Sequence, residues 1–192
     1  RAVSKIDIPD STKLKDLNNV FRDACSFNSP IENWDVSNVT NMNKTFWMPA
    51  CQPIETGGSL ETSLFPPFNQ PLEKWDVSNV TDMTDMFGYA ASFNQPLNDW
   101  NVSKVKEMTG MFGAYSAYIY VPFNHPLDRW DVSKVTTMEN MFLGAFYFDQ
   151  DLGGWSVGKN TNIKSMFSKC SFHNAKMTIS SRNMCNIICS NS

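Results

Sequence analysis

The sequence predicts an α/β fold of stacked strand-turn-helix repeats with a parallel sheet on one face, and three observations carry that prediction. Trp34, Trp75, Trp100, Trp130 and Trp155 head near-copies of one phrase, from WDVSNVTNM in the first to WSVGKNTNI in the last. Their spacings of 41, 25, 30 and 25 set a 25-residue period with two insertions, and a fixed period of this length marks a stacked-repeat architecture. A second phrase, FNSPI, FNQPL, FNQPL or FNHPL, precedes the first four tryptophans, and FDQDL precedes the fifth. After each tryptophan comes an apolar stripe at helical spacing.

The copy at Trp75 shows how each element is expected. Leu72, Trp75 and Val77 spell L-x-x-W-x-V, the strand pattern of a leucine-rich repeat with Trp in the second large slot. Residues 72–77 are therefore predicted as the strand, with Trp75 and Val77 on one face and Lys74 and Asp76 on the other. Val80, Met83, Met86 and Phe87 follow at i, i+3, i+6 and i+7, one face of a two-turn helix. Ser78 or Asn79 is placed to cap it. Gly88, Gly113 and Gly144 fall where a helix ends. One such unit cannot bury its own apolar face, so the units must stack, Trp on Trp and Met-Phe on Met-Phe. The whole chain is then a single leucine-rich-repeat-like solenoid. It has an N-terminal partial repeat at 11–29, five full repeats, insertions at 47–67 and 114–122, and a C-terminal cap at 173–192.

Stacking also accounts for composition. The ladder core explains a composition of 14 Phe, 11 Met and 6 Trp without a ligand. Asn28, Asn69, Asn94 and Asn124 of the FN-x-P phrase read as a buried ladder whose amides satisfy loop backbone groups. His125 stands where sister repeats carry Gln or Ser, as an exposed substituent.

With FNQPLEKWDVSNVTDMTDMF and its partners in view, the chain resembles the bacterial surface protein repeat of 25 to 26 residues. This is the DUF285 or Mycoplasma lipoprotein-associated repeat, allied to BspA-like leucine-rich repeats. The likeness runs from about Leu14 to Phe172. It implies an extracellular or surface-anchored recognition or adhesion protein and supplies no catalytic residues. The two insertions and the cysteine-containing end depart from the family pattern.

Five cysteines leave an odd one over. Cys25 and Cys51 lie just beyond the stripe in neighbouring repeats, and stacking brings them within disulfide reach. Cys170, His173, Cys185 and Cys189 fit either a zinc site or a disulfide from Cys170 to Cys185 or Cys189 that closes the cap. The oxidising compartment implied by the resemblance favours the disulfide, so no metal or other cofactor is expected.

A net charge of −3 with basic residues scattered singly gives no footprint for nucleic acid, and no apolar run reaches the 18 or so residues of a membrane span. Arg1 stands where a Met would open a complete chain, which is consistent with a targeting segment lost upstream. With two histidines and no recognised nucleophile, phosphate or metal motif, the chain is expected not to be an enzyme. Asp35, Asp76 and Asp131 form a column after their tryptophans. It is read first as side chains accepting turn amides and second as a cation or partner contact. Sequons stand at Asn38, Asn43, Asn79 and Asn101, three of which belong to the repeat phrase itself, with Asn79 and Asn101 the exposed candidates.

The leading expectation is a recognition, adhesion or assembly module for a protein or glycan at the cell surface, with an organellar lumen as the other location. The competing one is an accessory structural subunit of a large organellar or filamentous assembly. The binding surface is placed on the insertions, which enter the repeat at one point and are two copies, about 10 Å, apart. Trp47, Tyr115, Tyr118 and Tyr120 are its expected contacts. The competing role for these aromatics is packing down over the core, and the Asp column is the next place to look.

Overall fold

The computed structural model describes residues 14–51, 54–56, 59–61, 68–115 and 119–170. Six layers stack along these residues, marked by Phe21, Phe46, Phe87, Phe112, Phe142 and Phe167. The strand-turn-helix prediction is overturned. Among the described residues there is no α-helix, and the paired strands are β1 (Ile54–Thr56) and β2 (Ser59–Glu61). These two form an antiparallel hairpin inside the first insertion, next to the single 3-10 turn Pro49–Cys51. No parallel sheet covers a face. In its place a single parallel bridge per layer runs Asp16, Asn41, Asp82, Glu107, Thr137, Asn162.

The hydrogen bonds explain why the helical spacing misled. In the third layer Met83, Asp85, Phe87 and Tyr89 donate their N–H groups to the next layer's Glu107, Thr109, Met111 and Gly113 carbonyls, at 2.7 to 2.9 Å. Met86, Gly88 and Ala90, lying between them, donate three residues back within their own layer. Alternate amides thus point along the stack and around the turn. A helix needs every residue right-handed and every N–H bonded four residues back. Here Asp85 (φ 52°) and Tyr89 (φ 60°) are left-handed, so each layer is a run of overlapping β-turns. Such a run also turns Met83, Met86 and Phe87 inward. The stripe reports how often the chain turns, and not its hand.

The left-handed position is a property of the repeat. Asn19, Lys44, Asp85, Gly110, Asn140 and Ser165 share one slot, with φ between 52° and 61°. Four of the six are Asn, Asp or Gly, the residues that tolerate this region best. A second left-handed slot, four residues on, is filled by Asp23, Tyr89, Gly144 and Lys169. It is missing in the second and fourth layers, at Met48 and Ala114, where the insertions leave the repeat.

The predicted strand is also a turn. Trp75 N–H donates to Leu72 O at 3.0 Å, so L-x-x-W closes a β-turn, while Trp75 and Val77 are buried and Lys74 and Asp76 exposed. No helix exists for Ser78 or Asn79 to cap. Of the three glycines read as helix ends, only Gly144 is left-handed (φ 72°). Gly88 is small because a Cβ there would lie 2.8 Å from Trp47 Cδ1.

The core is two phenylalanine columns side by side. Phe21, Phe46, Phe87, Phe112, Phe142 and Phe167 stack near-parallel at centroid spacings of 5.3 to 5.6 Å. Phe27, Phe68, Phe93, Phe123 and Phe148 do so at 5.7 to 6.3 Å. Within a layer the two columns touch ring on ring at centroid distances of 4.0 to 4.2 Å. The tryptophans fasten layer to layer: the indole N–H of Trp75, Trp100, Trp130 and Trp155 donates to Ile31, Leu72, Leu97 and Leu127 O respectively, at 2.8 to 3.0 Å. Leu72 O therefore accepts from both Trp75 N–H and Trp100 Nε1–H.

The last layer slips. In the four layers before it a turn closes from Val132 to Val135 or its equivalents, whereas here Thr161 N–H bonds Gly158 O, one residue later. Thr161 becomes buried and Asn160 exposed, and Thr161 Oγ1 donates to Val135 O at 2.9 Å. Two adjoining shallow clefts of about 600 and 300 Å³, sharing Ser133 and Gly158, lie along this slip.

Two measurements check this architecture. Trp100→Ala is expected to cost on the order of 3–5 kcal/mol, and Trp100→Phe about 1 kcal/mol for the lost indole bond. Equal denaturation midpoints for Trp100→Phe and the parent would remove the indole from the account. At Gly110, φ is +61° and a Cβ would meet Asp85 Oδ1 at 2.1 Å, so Gly110→Ala should destabilise by roughly 1–3 kcal/mol, read by urea titration.

Candidate binding surface

Two polar columns and an aromatic cluster coat the layers. The FN-x-P asparagines form the expected ladder, with Asn28, Asn69 and Asn94 Oδ1 accepting the Asn69, Asn94 and Asn124 N–H at 2.9 to 3.0 Å. Asn124 Oδ1 accepts Asp149 N–H at 2.9 Å. These asparagines are half-buried to exposed, so the ladder lies at the surface and not in the interior. The neighbouring Gln70 and Gln95 donate Nε2 to the same Oδ1 atoms at 3.1 Å. His125 is more than a substituent: its Nε2 lies 3.0 Å from Asn94 O, taking the role Gln95 and Gln150 play against Asn69 and Asn124 O.

The second column is Asp35, Asp76, Asn101, Asp131. In each, Oδ1 accepts the N–H two residues on, Ser37, Ser78, Ser103 or Ser133, at 3.0 to 3.2 Å, as the turn reading anticipates. Ser37 Oγ also donates to Asp35 at 2.6 Å. At Asp131 the hydroxyl and backbone bonds from Ser133 hold the carboxyl below its ordinary value of 3.8. Bonds to the charged form favour it. The last layer carries Ser156 in this slot, where the slip begins.

The third feature is aromatic and joins the roots of the insertions. Trp47, half-buried, lies over Gly88 and meets Tyr89 edge-on at 6.2 Å, with Arg22 and Lys44 over its ring at 4.4 and 5.2 Å. Tyr89 leans on Tyr115 at 6.2 Å. Tyr115 is 49% exposed, yet its hydroxyl accepts from Asn140 Nδ2 at 3.3 Å over the notch left by Gly110. Asp85 fills the same notch. Burial, opposed by Lys44, raises the Asp85 carboxyl, and burial with the Asp85 charge raises the Tyr115 phenol. Tyr115 thus packs down while presenting one side. Tyr118 and Cys185 lie outside the described residues, as does the cap at 173–192.

Both insertions are anchored at one slot of a neighbouring layer. Cys51, from the first, makes a disulfide with Cys25 of the layer before, and Ala50 N–H donates to Asp23 Oδ1 at 2.9 Å. Tyr120, from the second, meets Phe146 of the layer after at 5.4 Å. Cys25, Ala91 and Phe146 are equivalent, each four residues past its layer's phenylalanine. Phe146 and Tyr147 were not singled out from sequence because GAFYFDQ reads as one more core segment. They are 43% and 57% exposed, Tyr120 52%, and Phe146 contacts Tyr147 at 5.5 Å. Among the described residues no cluster of three or more His, Cys, Asp or Glu could hold a metal ion, and no helix is long and apolar enough to cross a membrane. Cys170 Sγ approaches Phe142 O at 2.8 Å.

Layers held in register by repeated turns, side-chain ladders and stacked rings define a repeat protein. The family described as Mycoplasma protein of unknown function, DUF285, matches residues 2–120 and again 59–180, and the chain belongs to it. No curated protein and no solved structure matches the chain.

The Asp131 turn makes a pH prediction. Its folded value is depressed, so its stabilisation is full above the unfolded value of 3.8 and is lost as pH falls through the lower folded one. Asp131→Asn, which keeps an acceptor as Asn101 does, should flatten this part of the acid limb of a stability-against-pH curve. An identical limb in parent and variant would reject the assignment.

Proposed function

We propose that the chain is a non-enzymatic recognition, adhesion or assembly module that holds a protein or glycan at the cell surface or outside the cell. One observation carries the reading. Of the large hydrophobic side chains exposed among the described residues, four of five, Tyr115, Tyr120, Phe146 and Tyr147, gather at the second insertion and the adjoining turn; the fifth is Val20. Exposed apolar groups scattered singly need no explanation, but a contiguous patch marks an interaction site. Tyrosine suits one because its ring gives contact area and its hydroxyl a polar tip. The Cys25–Cys51 bond supports an oxidising compartment. The family phrase supports a kinship with BspA-like repeats in sequence, with no bearing on architecture.

Trp47 reaches Tyr115 through Tyr89, and Phe146 contacts both Tyr120 and Tyr147. Tyr120→Ser combined with Phe146→Ser should cut capture of a partner from native material by at least about tenfold, as loss of a hot-spot pair does. Circular dichroism and the melting temperature should hold. Tyr115 is left unaltered because it also packs on Gly110. Undiminished capture would move the site to Asp35, Asp76 and Asp131. Copurification with neighbours that bury more than about 1,000 Å², in place of a monodisperse chain, would favour an accessory structural subunit.

A further inference from the structure

We propose that Asn101 is an N-glycan acceptor and that the glycan shields the aspartate column. Three of the four sequons, those at Asn43, Asn79 and Asn101, are equal as sequence and unequal in the folded chain. Asn79 Nδ2 donates to Ser37 O at 2.8 Å and its Oδ1 accepts Lys104 Nζ at 2.6 Å, both between layers. Asn43 Nδ2 faces Asp82 Oδ2 at 3.5 Å. The hydroxyl of the Asn43 sequon, Thr45, is fully buried, bonding Leu17 and Met42 carbonyls at 3.1 and 2.9 Å. A sugar on either nitrogen has to displace a bond or a layer. Asn101 is exposed, its Oδ1 is occupied by Ser103 N–H at 3.2 Å, and among the described residues no group accepts from its Nδ2.

The modification joins Nδ2 to the anomeric carbon of a lipid-linked oligosaccharide diphosphate. The carbon–oxygen bond to the diphosphate breaks, the lipid diphosphate leaves with the electron pair, and Nδ2 gives up one proton. Asn101 lies in the slot of Asp35, Asp76 and Asp131, one layer from Asp76 and one from Asp131. A glycan there covers that column. The inference does not depend on the proposed partner surface.

The test is secretion of the full chain from a eukaryotic host, followed by glycopeptide mapping of the folded, secreted pool. Asn101 is expected to carry the glycan, with Asn43 and Asn79 unmodified. Two variants control for folding. Ser103→Ala removes the sequon but keeps the backbone N–H that bonds Asn101. Asn101→Asp restores the residue found in three sister layers and should secrete with an unchanged melting temperature and no glycan. An unmodified Asn101, or glycan on Asn43 or Asn79 in folded protein, would overturn the assignment.

Discussion

The structure depends on the direction of alternate backbone amides. Once Met83, Asp85, Phe87 and Tyr89 send their N–H groups to the layer above, no turn can close on itself as a helix. Each layer then needs a neighbour to satisfy its backbone, since a buried amide without a partner costs roughly 1–3 kcal/mol. The left-handed slot keeps those amides pointing along the stack, because one φ reversal every four residues cancels the winding of the intervening turns. Stacked phenylalanines follow from that register. With layers about one strand spacing apart, a ring repeated in one slot has little choice but to lie on its counterpart. The indole bonds from Trp75, Trp100, Trp130 and Trp155 add a fixed crosslink between layers.

The insertions interrupt this scheme at the one place where interruption is cheap. They leave after the phenylalanine, where Met48 and Ala114 lack the second left-handed turn found at Asp23, Tyr89, Gly144 and Lys169. The inward residues and the inter-layer bonds up to that point are already made. The departing chain is then held by a neighbouring layer, covalently at Cys25 and by ring contact at Phe146. Loops anchored on a rigid scaffold are where binding residues concentrate in many folds. Here the anchors themselves form part of the surface.

Much of this was legible in the repeats. The period, the core slots of Leu72, Trp75, Val77, Met83, Met86 and Phe87, the Asn and Asp columns and the Cys25–Cys51 pairing all follow from aligning copies and stacking them. The secondary structure did not follow, because hydrophobic spacing carries no information about chirality: Met83, Met86 and Phe87 face inward from an α-helix or from alternating turns. The clue lay in the polar column. A helix interior has no use for Asn, Asp or Gly at one slot in four copies, whereas a left-handed position selects them. Phe146 and Tyr147 were missed for a related reason, since an aromatic run beside core phenylalanines looks like core.

Variation within a column separates framework from function. Where Gln becomes His125 or Asp becomes Asn101, the bond to the next layer or the next turn survives, so the slot demands a donor or an acceptor and nothing more. Gly110 replaces a side chain, and Asp85 and the Tyr115 hydroxyl occupy the space. These substitutions conserve what the stack requires. The slot holding Cys25, Ala91 and Phe146 behaves differently: its occupants share a backbone bond to the carbonyl two residues back but no side-chain contact, volume or polarity. Cys25 serves the first insertion, Ala91 serves neither, and Phe146 holds Tyr120 and stands nearly half exposed. A position freed from the demands of stacking is one the fold can use for something else, and on this chain it borders the exposed aromatic surface.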